Sequence, residues 1–116
     1  MTADAPSARW WEDLAPALQW ENGVVLTLGQ ALLGFVSAQL LGVAVECEGR
    51  KIIVHFAFSE MDGDVQDDVE DIIGEVEGQL WPEEVTVESC VYVGDTREGW
   101  PGRGHRLVFL AKGHGV

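Results

Sequence analysis

The stretch LGVAVECEGRKIIVHFAF, residues 41–58, decides how this chain folds. From Leu41 to Cys47, apolar side chains alternate with small or acidic residues, which is the period of a half-buried β-strand. Glu48-Gly49 then predicts a tight turn, since glycine accepts positive φ angles. Residues 50–58 are rich in β-branched and aromatic side chains and predict a second strand. The whole stretch therefore predicts a β-hairpin.

A helical pattern lies on each side of this hairpin. Apolar side chains at helical spacing predict a first helix over residues 24–35. After the hairpin, an apolar stripe from Val65 to Leu80 predicts a second and clearer helix, which Trp81-Pro82 ends. Because the stripe covers only one side of this second helix, we expect that side to pack against a sheet.

Two further strands are predicted after the second helix, over residues 85–93 and 107–111. The glycine-rich stretch between them, Gly94–Gly104, is predicted to be a flexible hairpin loop. The element order α-β-β-α-β-β predicts an α+β fold, a two-layer sandwich with a four-stranded sheet and both helices on one face. If the second and third strands are neighbours, the helix that joins them requires them to run parallel. The strand order itself stays open.

The length of 116 residues fits one domain, predicted over residues 24–116. The preceding segment, residues 1–23, contains Trp10, Trp11 and Trp20 and ends in the turn-forming sequence Glu21-Asn22-Gly23. We expect this segment to pack on the domain.

The charge balance limits the classes of partner. Acidic residues outnumber basic ones 20 to 7, for a formal net charge of −13. Direct binding of nucleic acid or of an anionic membrane needs clustered Lys and Arg, so neither is expected. The sequence has no apolar run long enough for a membrane helix and no secretory signal pattern, which predicts a cytoplasmic protein.

No motif in the sequence indicates an enzyme or a bound cofactor. Cys47 and Cys90 have no metal-ligand spacing and are expected to be free thiols. His55 is expected on a strand face, satisfied by its neighbours, and His105 at a solvated strand start. The acidic loop that begins at Asp62 lacks the residues of a calcium-binding EF-hand. We therefore predict no catalytic residues and no metal site.

The distribution of charge is the unusual feature of the sequence. No Lys or Arg occurs between Lys51 and Arg97, although that interval contains most of the acidic residues. An ordinary solvated helix mixes both signs, because oppositely charged side chains four residues apart stabilise it. An anionic surface that docks a basic protein explains this pattern, and solubility alone is the competing explanation. The residues predicted to form the surface are Glu60, Asp62, Asp64, Asp67, Asp68, Asp71 and Glu75, with Trp100 and Arg103 of the glycine-rich loop as further contacts.

Four stretches of the chain resemble a known class of proteins: ALLGFV at 31–36, the hairpin at 41–58, the acidic helix at 67–77 and RLVFLAK at 106–112. In this order they resemble the small acidic immunity proteins of bacterial contact-dependent growth inhibition systems, over about residues 25–112. The resemblance implies a non-enzymatic cytoplasmic inhibitor. Such a protein binds the toxic domain of a cognate effector, commonly a nuclease, and blocks its active site.

Two alternatives stay open at this point. The chain is also consistent with an acidic regulatory or protein-interaction domain that has no toxin partner. In that case, neutralising the acidic helix would leave partner binding intact. The other alternative is a small-ligand-binding domain with a pocket between helices and sheet, for which a ligand would raise the melting temperature.

Overall fold

The computed structural model describes residues 16–35, 37–81 and 83–111 of the chain. In these ranges it contains two helices and four strands, in the predicted order. Their bounds are α1 Pro16–Leu32, β1 Leu40–Glu48, β2 Lys51–Phe58, α2 Gly63–Leu80, β3 Thr86–Val93 and β4 Arg106–Leu110. The α+β fold predicted from the sequence is confirmed.

The four strands form one sheet in the order β3-β2-β1-β4. β1 and β2 pair as an antiparallel hairpin, in which Glu48 lies opposite Lys51. The turn between them is Gly49-Arg50, and Gly49 has a φ of +59°, which suits glycine. β2 and β3 are neighbours and run parallel, as expected for two strands joined by α2. β4 pairs with the other edge of β1.

The main core lies between the helices and one face of the sheet. Every second residue of β1 and β2 points to this face. These residues are Val43 and Val45 in β1, and Ile52, Val54 and Phe56 in β2. The helices contribute Val24, Leu28, Leu32, Val65, Val69, Ile72 and Val76. Both helices therefore cover the same face. Each large side chain buried here stabilises the fold by about 1.5–3 kcal/mol.

The first helix begins earlier than predicted. It starts at Pro16 rather than Val24 and continues through Gly23, which the sequence pattern placed in a turn. Proline is compatible with a first helical turn, where its missing N–H needs no partner. Trp20 thereby lies on α1, partly buried against the core. The rest of the predicted N-terminal segment, residues 1–15, lies outside the described residues, and its packing stays a prediction.

The connection from β3 to β4 is not a hairpin loop, and that prediction is wrong. β3 and β4 are the two edges of the sheet, so residues 94–105 have to cross it from one edge to the other. They cross on the side away from the helices, which we call the far face, where Trp100 packs against Ala44 and Ala57. A second, smaller core therefore lies under this segment.

Neither helix meets the requirements for crossing a lipid bilayer. Within residues 16–35, 37–81 and 83–111, no helix combines sufficient length with sufficient apolar character.

Candidate functional site

The carboxylates of α2 form a continuous acidic surface. The five predicted residues on the helix are Asp64, Asp67, Asp68, Asp71 and Glu75, and all except half-buried Asp68 are exposed. The helix turns about 100° per residue, so these positions fall on one flank, beside the buried stripe. We call these five residues the acidic flank. Glu70 and Glu77 lie on the other side of the helix.

The basic side chains in the described part of the chain do not compensate the charge of the acidic flank. No ion pair joins an α2 carboxylate to a basic side chain within residues 16–35, 37–81 and 83–111, because the cations there have other partners. The pairs are Arg50 with Glu83, Lys51 with Glu88, Arg97 with Asp95 and Arg106 with Glu21, while Arg103 donates to the carbonyl oxygen of Thr96. None of these five basic side chains therefore neutralises the negative potential over α2.

Two predicted residues precede the helix. Glu60 is exposed in the loop after β2. Asp62 is the N-cap of α2, and its Oδ1 accepts a hydrogen bond of 2.9 Å from the backbone N–H of Val65. Asp62 is thus a structural residue, although its side chain also stays exposed. Both residues extend the acidic surface past the start of α2.

The other two predicted contacts, Trp100 and Arg103, lie elsewhere. Both belong to the segment that crosses the far face, on the opposite side of the sheet from α2. Only 3% of Trp100 is exposed, so its ring supports this segment instead of offering a contact surface. Arg103 is exposed, and its guanidinium donates to the carbonyl of Thr96 at 3.4 Å. The structure therefore brings the acidic residues together and separates them from Trp100 and Arg103.

Exposed apolar side chains border the helical layer, and the sequence patterns did not single them out as contacts. Trp81, directly after α2, is 78% exposed. Leu26 on α1 and Leu33 just after it are 70% and 84% exposed, and they line a shallow groove with Val108 of β4. An exposed tryptophan at a helix end is a signal for an interface, because tryptophan is enriched among binding hot spots.

A cluster of two histidines and a glutamate lies on the far face. Nε2 of His55 is 3.1 Å, and Nε2 of His105 is 3.3 Å, from Oε1 of Glu46. The two imidazole rings are parallel, with centroids 5.1 Å apart. The hydrogen bond from His55 lowers the pKa of Glu46 most, and the nearby His105 lowers it further, against the opposing effect of burial.

Part of this cluster was accessible to sequence reasoning. In the hairpin, Ala44 lies opposite His55 and Glu46 opposite Ile53, so Glu46 and His55 are diagonal neighbours on one face. His105 arrives from the long segment between two edge strands. Its position depends on the strand order, which the sequence left open.

The two cysteines do not form a reactive pair. Both are free, and their strand positions place Cys47 on the helical side of the sheet and Cys90 on the far face. Burial raises the pKa of the Cys47 thiol, and the charge of Glu21 raises it further. A raised pKa disfavours the thiolate, which is the nucleophilic form.

Comparison with known proteins gives a family match. A search of curated proteins finds no match to the chain. A family model described as MafI2 immunity protein matches residues 21–112, which include most of α1 and every later helix and strand. The match covers far more than half of the sequence, so the chain belongs to the MafI2 immunity protein family.

Proposed function

We propose that this protein is a non-enzymatic inhibitor that binds a basic cognate toxin domain in the cytoplasm and occludes its active site. Its family is one of immunity proteins, which indicates toxin neutralisation. This membership favours toxin neutralisation over an unrelated regulatory or small-ligand-binding domain. The proposal includes a nuclease toxin and delivery by contact-dependent growth inhibition, as the sequence resemblance implies.

The uncompensated acidic flank is the observation that supports a basic partner most strongly. A surface of one sign raises the rate of association with an oppositely charged surface and disfavours wrong partners. A nuclease has to hold a polyanion, so the surface around its active site is basic. An anionic helix that covers such a surface competes with the substrate for the same cations.

The spacing of the carboxylates supports mimicry of a nucleic-acid strand. From Asp64 to Glu75 the acidic flank extends over 11 residue steps, or about 16 Å at 1.5 Å per residue. Four intervals separate its five charges, so the mean axial spacing is about 4 Å, compared with 3.4 Å per phosphate along one strand of DNA. A groove that accepts a phosphate backbone therefore meets a similar linear charge density on α2.

Affinity needs apolar anchors in addition to charge. Charged contacts mainly set the encounter rate, whereas a few buried aromatic or aliphatic side chains supply most of the binding energy. Trp81 and Leu33 are the most exposed large apolar side chains in the described ranges. Since both border the helical layer, we propose that this layer faces the toxin.

Co-expression with the toxin domain encoded by the neighbouring gene tests the proposal. We expect the toxin domain alone to arrest growth, and this protein to restore growth and co-purify with the toxin in a 1:1 complex. Inhibition of the toxin's activity in vitro should be complete at one equivalent. Failure to form a complex, or inactivation by a small fraction of an equivalent, would contradict a stoichiometric inhibitor.

A further inference from the structure

The far face holds three metal-ligand side chains that the proposed function does not use. Glu46 comes from β1, His55 from β2 and His105 from the segment that crosses the sheet. One donor atom from each lies within 4.8 Å of the other two. Three separate parts of the chain thus converge on one point, on the opposite side of the sheet from the acidic flank.

We propose that Glu46, His55 and His105 form a binding site for a divalent transition-metal cation of the Zn²⁺ type. Two imidazoles and one carboxylate are a ligand set that such cations accept, with bonds of about 2.0–2.2 Å. In a tetrahedral site with these bonds, ligand atoms lie about 3.3 Å apart. The distances from Oε1 of Glu46 to the two Nε2 atoms are 3.1 and 3.3 Å. Two of the three edges of the ligand triangle therefore have the required length. Because the two imidazole planes are parallel, the exposed ring of His105 has to rotate before both Nε2 lone pairs point at one cation.

The exposure of the cluster permits a cation to enter. The side chain of His55 is 8% exposed and fixed in the sheet, while those of His105 and Glu46 are 38% and 24% exposed. A cavity of about 330 Å³ lies beside His105, lined also by Trp100 and Arg103. The exposed sides of Glu46 and His105 allow water to supply a fourth ligand, the arrangement of zinc sites that keep one open position.

The second ring nitrogen of His55, Nδ1, limits the affinity of the site for the cation. Nδ1 is buried and has no hydrogen-bond partner. A metal bound through Nε2 places the ring proton on Nδ1, where this structure offers no acceptor. Because an acceptor for that proton usually strengthens a histidine ligand, we expect weaker binding than in a structural site with four protein ligands.

Titration of Zn²⁺ into the full-length chain tests the site. The protein is prepared without a polyhistidine tag and treated with a chelator that is then removed. Calorimetry should show one Zn²⁺ per chain, and the melting temperature should rise with Zn²⁺ concentration, because a cation bound only by the folded state stabilises it. Co²⁺ in place of Zn²⁺ should give visible absorption bands of tetrahedral coordination.

Matched variants separate this site from general attraction to acidic residues. His105→Gln and Glu46→Gln should each weaken Zn²⁺ binding at least about tenfold, while Glu70→Gln on α2 should leave it unchanged. Mg²⁺, which prefers oxygen ligands, should not compete. Absence of binding, equal binding by all three variants, or full competition by Mg²⁺ would overturn the proposal. None of these results bears on toxin neutralisation, which is measured separately.

Discussion

At the residue scale, the side chain of Asp62 connects the acidic surface to the fold. It belongs to the predicted anionic residues, and its Oδ1 also accepts the N–H of Val65 in the first turn of α2. A side-chain oxygen at this position satisfies one of the helix N–H groups that have no partner within the helix. The loss of charge and the loss of the cap therefore need to be measured separately.

Two substitutions at position 62 make that separation. Asp62→Asn keeps a capping oxygen without the charge, and Asp62→Ala removes both. We expect Asp62→Ala to lower the free energy of unfolding by about 1 kcal/mol and Asp62→Asn to lower it much less. Urea denaturation followed by circular dichroism measures both values. Equal losses in the two variants would show that the charge, and not the cap, stabilises the helix.

Gly102 is the second residue with a sharp structural requirement. A Cβ at this position would lie 2.5 Å from the Trp100 ring and 2.8 Å from the Cβ of His55. The crossing segment is thus packed tightly between the Trp100 ring and the far face. Glycine is therefore required at position 102, because no side chain larger than a hydrogen atom fits there.

Replacing Gly102 with alanine should disturb this packing. We expect Gly102→Ala to destabilise the fold by about 1–3 kcal/mol, the usual cost of adding a methyl group to a filled site. The fluorescence of Trp100 should also shift to longer wavelength as the ring becomes solvated; a Trp100→Phe variant identifies its contribution. An unchanged urea midpoint would contradict the tight packing.

At the element scale, α2 is held in place by packing, and no basic side chain that the structure describes forms an ion pair with it. It has a buried stripe and an N-cap, but it carries seven acidic residues and no basic ones, and it contains Gly74 and Gly78 in addition to its first residue, Gly63. Like charges four residues apart, such as Asp67 and Asp71, destabilise a helix by about 0.2–0.5 kcal/mol per pair. This helix is therefore less stable than its length allows.

Gly78 offers a direct test of this reduced helix stability. It lies in α2 and is exposed, and a Cβ added there would meet only open space. We expect Gly78→Ala to stabilise the protein by about 0.5–1 kcal/mol, because alanine is the better helix former. Gly49→Ala is the contrasting variant: its φ of +59° makes alanine unfavourable by about 1–2 kcal/mol. Urea midpoints that move in the same direction for both would contradict this explanation.

The elements differ in how far the sequence predicts them. The hairpin and α2 were predicted because their apolar periods, two and 3.6 residues, are long and unbroken. The predicted start of α1 was wrong because Asn22-Gly23 is typical of a turn. In the folded chain these two residues are helical, since packing of Val24 and Leu28 stabilises the helix around them. The prediction for the crossing segment was wrong for another reason, since the path of this segment depends on the position of β4 in the sheet.

The residues of the candidate sites also differ in how far the sequence predicts them. The acidic residues were predictable because their spacing on one helix fixes their relative positions. The His–Glu cluster was missed because His105 reaches it through tertiary packing. Trp81 was interpreted only as the end of α2, and its 78% exposure is a property of the folded chain.

At the scale of the whole molecule, the two proposed sites lie on opposite sides of the sheet. The helical layer carries the acidic flank and bordering apolar side chains, and the far face carries the His–Glu cluster under the crossing segment. The net charge of −13 attracts a basic partner to any part of the surface, whereas the cluster of carboxylates on α2 attracts it to one side. If the charge acted only through its total, the position of a neutralised residue would not matter.

The rate of association with the cognate toxin domain, measured by stopped flow at low and physiological salt, tests the central claim most directly. The triple variant Asp67→Asn/Asp71→Asn/Glu75→Gln removes three charges from the acidic flank. The control Glu70→Gln/Glu77→Gln/Glu84→Gln removes three exposed charges elsewhere. We predict that the first variant associates about tenfold more slowly at low salt with a flatter salt dependence, and that the control stays close to the unmodified protein. Equal rates for the two variants would contradict a docking surface formed by the acidic flank, because Glu70 and Glu77 of the control lie on the other side of the same helix.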